Sequence, residues 1–202
     1  MIGIVDYGMG NLESVRKAFA RLGFETTWIR SPGEIDTCER IVLPGVGAFG
    51  QAMENLRRLE LIPALHESLR AGRPLLGICL GLQLLFETSH EYGTHEGLGW
   101  IAGTVRRLPP TVRVPHVGWN SVCTTPGSRL FAGIPDRSHF YFVQSYFVDP
   151  EDASVVTGTT EHGVMFAAAV ESGALFGVQF HPEKSQTAGL ALLDNFGRLR
   201  CS

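Results

Sequence analysis

The chain has 202 residues, with 17 Lys and Arg against 20 Asp and Glu, a formal charge of −3 and 44% apolar residues. A chain of this length removes roughly 70% of its unfolded surface from water on folding, so a core forms without disulfides or metals, and the composition excludes disorder and collagen-like structure. The basic residues, nearly all Arg, are scattered rather than clustered, so nucleic-acid binding is not expected.

The four cysteines, Cys38, Cys79, Cys123 and Cys201, stand too far apart for CxxC pairs. They are also too few for a secreted disulfide framework, so a reduced, cytoplasmic chain without a metal centre is expected. The start, Met1-Ile2-Gly3-Ile4-Val5-Asp6, carries no signal-peptide pattern, and the apolar run from Pro74 to Phe86 is interrupted by Gln83. That run is too short to span a bilayer, so no membrane association is expected.

In chain order, Ile2 to Val5 reads as a buried strand, Asp6 to Gly10 as a turn and Asn11 as a helix N-cap. Leu12, Val15, Phe19 and Leu22 follow at helical spacing until Gly23 stops the helix. Thr26 to Ile29 and Arg40 to Leu43 read as strands, the second ending at Pro44-Gly45-Val46-Gly47. Gln51 to Leu59 and Ile62 to Ala71 read as helices, and Pro74 to Ile78 as a strand feeding a helix from Leu80 to about Glu87. Strands separated by helices imply a parallel sheet covered on both faces. After Gly93 glycines punctuate the chain, and Thr104 to Leu108, Phe140 to Val148, Val164 to Val170 and Ala174 to Phe180 read as closely spaced strands. Such spacing favours antiparallel hairpins. A last helix, Thr187 to Arg198, points Leu190, Leu193 and Phe196 inward. The expected fold is one α/β domain over residues 1–202, with a mixed, mostly parallel sheet flanked by helices and antiparallel strands in the C-terminal half.

The sharpest chemical signal is Gly77-Ile78-Cys79-Leu80-Gly81, set between a predicted buried strand and a predicted helix. A nucleophile at such a turn occupies a strained backbone conformation, which the glycines permit by removing clashing Cβ atoms. The N–H groups at the helix start favour thiolate over thiol. Of seven histidines only His181 is followed by a carboxylate in an orienting position, in Phe180-His181-Pro182-Glu183. In extended chain residues i and i+2 share a side, so Glu183 can fix the His181 tautomer, and His181 can activate Cys79 and protonate a leaving amine. The glycines of Pro44-Gly45-Val46-Gly47 let backbone N–H groups approach a substrate, as an oxyanion hole requires. Gln83 lies four residues beyond Cys79 on the same helix face, where it can reach substrate or cap a groove.

Together these motifs resemble the class I, triad-type glutamine amidotransferases over essentially the whole chain. More closely, Asp6-Tyr7-Gly8-Met9-Gly10-Asn11-Leu12, Pro115-His116-Val117-Gly118-Trp119-Asn120, Phe140 to Tyr146 and His181-Pro182-Glu183-Lys184-Ser185 are similar to those of the glutaminase subunits that serve histidine biosynthesis. The resemblance implies hydrolysis of L-glutamine through a γ-glutamyl thioester on Cys79, without a cofactor. It also implies a heterodimer with a separate (β/α)8 cyclase subunit, to which ammonia is channelled and which combines it with PRFAR to give imidazole glycerol phosphate and AICAR. By the same resemblance Gly45, Val46, Gly47, Leu80, Gln83 and Glu91 serve the oxyanion or the bound glutamine, and Glu91 complements its α-ammonium group. Asn11, Trp119, Asn120, Tyr141 and Lys184 match positions near the partner. Lys184 is read as an interface ion-pair donor, and Trp119 as an anchor or as core. His116 is read as structural. Gln144 and Val117 depart from the pattern, standing where His and Met are frequent. Another ammonia-transferring synthase subunit, or a stand-alone glutaminase or γ-glutamyl hydrolase, is the alternative reading.

Overall fold

Residues 1–200 are described by a computed structural model, and Cys201 lies outside them. The first half alternates strand and helix: β1 (Ile2–Val5), α1 (Leu12–Arg21), β2 (Thr26–Ile29), β3 (Arg40–Gly45), α2 (Phe49–Arg58), α3 (Leu61–Arg70), β4 (Leu75–Cys79) and α4 (Leu80–Leu84). The second half is mostly strand: β5 (Phe86–Ser89), β6 (His95–Glu96), β7 (Ile101–Arg107), β8 (His116–Ser121), β9 (Cys123–Thr124), β10 (His139–Gln144), β11 (Tyr146–Pro150), β12 (Val156–Glu161), β13 (Met165–Ser172) and β14 (Leu175–Val178), before the closing α5 (Gln186–Arg198).

One mixed sheet runs in the order β2-β1-β3-β4-β14-β13-β11-β7-β5-β6, with β12 and β9 branching from β13. The first five strands of this order pair in parallel, and β13 turns the sheet antiparallel. β8 and β10 form a separate antiparallel ribbon. The expected fold class therefore stands. Alternation along the central strands splits the apolar residues between two faces. Ile4, Val42, Ile78 and Val178 pack with Val15 and Phe19 of α1 and Leu193 and Phe196 of α5. Ile41, Leu43 and Leu75 face the other way, against Phe49, Met53 and Leu56 of α2 and Leu61 and Leu65 of α3.

Several boundaries differ from the sequence reading. The helix after Cys79 closes at Leu84, because the carbonyls of Leu84, Leu85 and Phe86 accept bonds from Leu98, Trp100 and Gly99 of the returning chain instead of continuing the helix. Phe140 to Val148 is two strands, one in each sheet; burial at Phe140, Phe142 and Gln144 gives way to Phe147 and Val148, and that change of phase is the bend at Ser145. β3 extends through Pro44 and Gly45, because Gly45 pairs in register with Cys79 and the Tyr7 hydroxyl donates to the Pro44 carbonyl at 2.8 Å. Asn11 caps α1 through its position alone: its side chain accepts from the Ser14 hydroxyl, 2.9 Å away, rather than from a backbone N–H. Among the described residues Cys38, Cys79 and Cys123 are free, and no helix is long and apolar enough to cross a membrane.

Candidate active site

β3, β4 and β14 are parallel neighbours whose carboxyl ends reach one edge of the sheet, the side on which open α/β sheets bind ligands. β4 delivers Cys79, β3 delivers Val46 and Gly47, and the chain leaving β14 delivers Gln179 and His181.

Cys79 holds φ 56° and ψ −110°, a conformation disfavoured for any residue with a Cβ. Strand and helix meet here with no intervening loop, and the flanking glycines make that contact possible. A Cβ on Gly77 would lie 2.7 Å from the Gly81 carbonyl oxygen, and one on Gly81 would run into the carbonyl oxygen of Leu43. The sulfur lies 4.0 Å from the Val143 carbonyl and 3.8 Å from the amide nitrogen of Gln179.

His181 Nδ1 and Glu183 Oε1 are 2.8 Å apart, with side chains only 3% and 1% exposed. The contact arises differently from the extended segment expected. Pro182 to Lys184 form a 3-10 turn, closed by the Lys184 N–H on the His181 carbonyl, with proline at its first position. The turn brings Glu183 back under the imidazole. His181 Nε2 is buried without a hydrogen-bond partner. Burial pulls the His181 pKa down, but the Cys79 sulfur and the Glu183 carboxylate outweigh it and lift it to about 10. Both partners therefore favour the imidazolium over the neutral ring. Its backbone is tied to β10: the His181 N–H donates to the Tyr141 carbonyl at 2.9 Å, and the Ser185 hydroxyl accepts from the Tyr141 N–H at 2.9 Å.

A cavity of about 310 Å³ opens over Cys79, lined by Val46, Gly47, Leu80, Gln83 and Glu91 and, on the far wall, by Pro115 and Val143 to Tyr146. That volume suits one small polar molecule. Gly47 has φ 108°, accessible to glycine. Glu91 accepts from the Phe49 N–H at 2.6 Å, which fixes its carboxylate at the start of α2. Gly45, expected with the substrate-binding turn, is fully buried in β3 outside the lining; a Cβ there would lie 2.9 Å from that of Leu80. Its role is close packing of β3 against α4.

On the outer face Trp119 is 47% exposed and stands opposite Tyr141 in the β8–β10 ribbon. Their rings meet edge to face at 6.0 Å, and the Lys184 ammonium lies 5.9 Å over the Tyr141 ring. Asn11 is exposed at the start of α1. Asn120 is half-buried, its amide donating to the Glu161 carbonyl at 2.8 Å. His116 is buried and stacked on Phe142 and His162, at 5.0 and 4.1 Å. Gln144, one of the two departures from the family pattern, touches its Nδ1 at 3.2 Å and lines the cavity. Burial first, and then the charge of His162, push His116 down to about 4. The unfolded chain takes up this proton near 6.5 and the folded chain only near 4, so folding stability falls as pH drops between those values. The expected loss is about 3 kcal/mol, at about 1.4 kcal/mol for each pH unit between this proton's two midpoints. Urea titrations at neutral pH and near the lower value, on the wild type and His116→Gln, should show that share of the acid loss missing from the variant.

Sequence reasoning missed Gln179 and Tyr7, both fully buried beside the sulfur or the Pro44 turn. A signal existed for Gln179, a lone amide inside the apolar run from Leu175 to Phe180.

The family described as glutamine amidotransferase class-I matches residues 3–198, and the chain belongs to that family. It is 54% identical over 198 residues to the imidazole glycerol phosphate synthase subunit HisH of Moorella thermoacetica, covering 98% of this chain and 94% of that protein. To the imidazole glycerol phosphate synthase subunit HisH of Aquifex aeolicus it is 47% identical over 196 residues, covering 96% and 95%. Among solved structures, PurLQS from Thermotoga maritima shares the fold with a TM-score of 0.79 at 18% identity, over 96% of each chain. A glutamine amidotransferase crystal structure does so at 0.76 and 20%, over 97% of this chain and 98% of that one.

Proposed function

We propose that this chain is the glutaminase subunit of an imidazole glycerol phosphate synthase. It hydrolyses L-glutamine to glutamate and ammonia, and passes the ammonia to a separate (β/α)8 cyclase subunit acting on PRFAR. The observation that carries this reading is a strained Cys79 opening onto an amino-acid-sized cavity, with the buried His181–Glu183 pair coupled to its sulfur from behind the lining.

Glutamine enters with its α-ammonium group toward Glu91 and its side-chain carbonyl over Cys79. The thiolate attacks the γ-carbonyl carbon, and the N–H groups of Gly47 and Leu80 take the oxyanion. His181, as the imidazolium that the thiolate and Glu183 favour, gives its Nε2 proton to the leaving nitrogen, and ammonia departs as the γ-glutamyl thioester forms. The same nitrogen then takes a proton from water, whose oxygen displaces the sulfur to give glutamate. Glu183 holds Nδ1–H throughout and stabilises the imidazolium. Ammonia released into water would become ammonium, which is not a nucleophile, so the product requires a partner docked over this edge. Trp119, Tyr141 and Lys184 form that docking face; the His181 N–H donating to the Tyr141 carbonyl, and the Tyr141 N–H donating to Ser185, join it to the catalytic histidine. Lys17, Arg21 and Lys184 line a groove beside Glu183, complementary to an acidic patch on the cyclase.

Glutaminase assays on the purified chain, alone and with the cyclase subunit and PRFAR, test this reading. The expected result is low activity alone and stimulation of about 5- to 150-fold, the usual span of a coupling of 1–3 kcal/mol. Full activity without a partner would mark a stand-alone glutaminase.

A further inference from the structure

Gln179 is fully buried between the end of β14 and His181, and no step above uses it. The two ends of its amide are chemically different, one donor and one acceptor, and their orientation here is set by a backbone group. The Tyr146 carbonyl can only accept, so the Gln83 atom 3.1 Å from it is the amide nitrogen. The same nitrogen lies 3.2 Å from the Gln179 side chain, so that end of Gln179 is its oxygen. The Gln179 amide nitrogen is thereby left facing Cys79 Sγ at 3.8 Å.

We propose that Gln179 is a positioning residue for the nucleophile, its N–H aimed by the chain Tyr146–Gln83–Gln179 so that it holds the Cys79 sulfur as thiolate. A thiolate accepts a hydrogen bond far more strongly than a thiol, so a fixed donor favours the charged form. The Val143 carbonyl, 4.0 Å from the same sulfur, can serve only the thiol, as acceptor. Gln179 and Val143 thus bias the same sulfur in opposite directions. The proposal rests on the reading of Cys79 as the nucleophile of a glutaminase.

The test is the rate of Cys79 alkylation by iodoacetamide against pH, resolved by peptide mass spectrometry on the full chain, for the wild type, Gln179→Met and Gln179→Glu. Gln179→Met keeps the side-chain size and removes the donor; Gln179→Glu replaces the donor with an acceptor. In Gln179→Met the midpoint of the pH–rate profile should move up by about one pH unit, so that on the acid limb of the profile alkylation at a given pH is about tenfold slower, and in Gln179→Glu further. Alkylation at Cys123 should match the wild type, as a control for folding. An unchanged midpoint in Gln179→Met, with wild-type alkylation at Cys123, overturns the proposal even if Gln179→Glu fails to fold. The assay needs neither glutamine nor the cyclase, so its failure is distinct from failure of the glutaminase reading, which the stimulation experiment decides.

Discussion

Cys79→Ala lowers glutamine hydrolysis by at least about 10⁴-fold, because loss of a nucleophile removes the covalent route and leaves only binding and the oxyanion donors. The substitution leaves the fold intact. The sulfur's contacts to Val143 and Gln179 are weak, its interaction with His181 serves the chemistry rather than the packing, and Ala has the same Cβ that the strained backbone already tolerates. The docking face is built from other residues, so the complex with the cyclase still forms. Ammonia-dependent cyclisation by that complex therefore proceeds at the wild-type rate while glutamine-dependent cyclisation stops. Paired assays with glutamine and with ammonium salt as nitrogen source check both halves. Glutamine turnover surviving the change would mean that water attacks directly and that His181 serves some other step.

Gly81→Ala destabilises the chain by about 3 kcal/mol or more, the range of severe overpacking. The new Cβ would meet the Leu43 carbonyl oxygen and come within 2.8 Å of its carbon. Both atoms belong to the backbone of β3, whose Leu43 is in register with Gly77 of β4. Neither strand can retreat without breaking the pairing that presents Cys79, so activity falls together with stability. Gly33→Ala is the matched control, since nothing lies within 4 Å of a Cβ there and its φ is ordinary. Urea unfolding of the two variants should give a large drop in midpoint for the first and almost none for the second. Equal midpoints would show that the junction between strand and helix is looser than its geometry implies.

The first half of the fold was legible because β1, β3 and β4 are short apolar runs, and because Val15 and Phe19 or Met53 and Leu56 mark helical faces directly. The second half was less so. β8 and β12 carry few large apolar residues; β8 is placed by β10, and β12 in part by β9, both distant in the chain. β10 and β11 form one continuous apolar run whose only break is a shift of phase at Ser145. The triad candidates were readable because glycines around Cys79 and the proline between His181 and Glu183 constrain the local backbone. Gln179 was not, because its meaning depends on Gln83 and Tyr146, which reach it only through the sheet. Gly45 shows that a glycine in a Gly-rich turn also answers to packing: a Cβ there would meet the Tyr7 hydroxyl and Leu80.

The central claim is that Cys79 forms a covalent bond with the γ-acyl group of glutamine. Acid quenching of the complex with the cyclase during turnover of isotopically labelled glutamine, followed by peptide mass spectrometry, tests it most directly. The account predicts a γ-glutamyl adduct on Cys79 that is absent from Cys38, Cys123 and Cys201 and disappears in Cys79→Ala. Turnover at full rate with no label on Cys79, or with label on another cysteine, would contradict it.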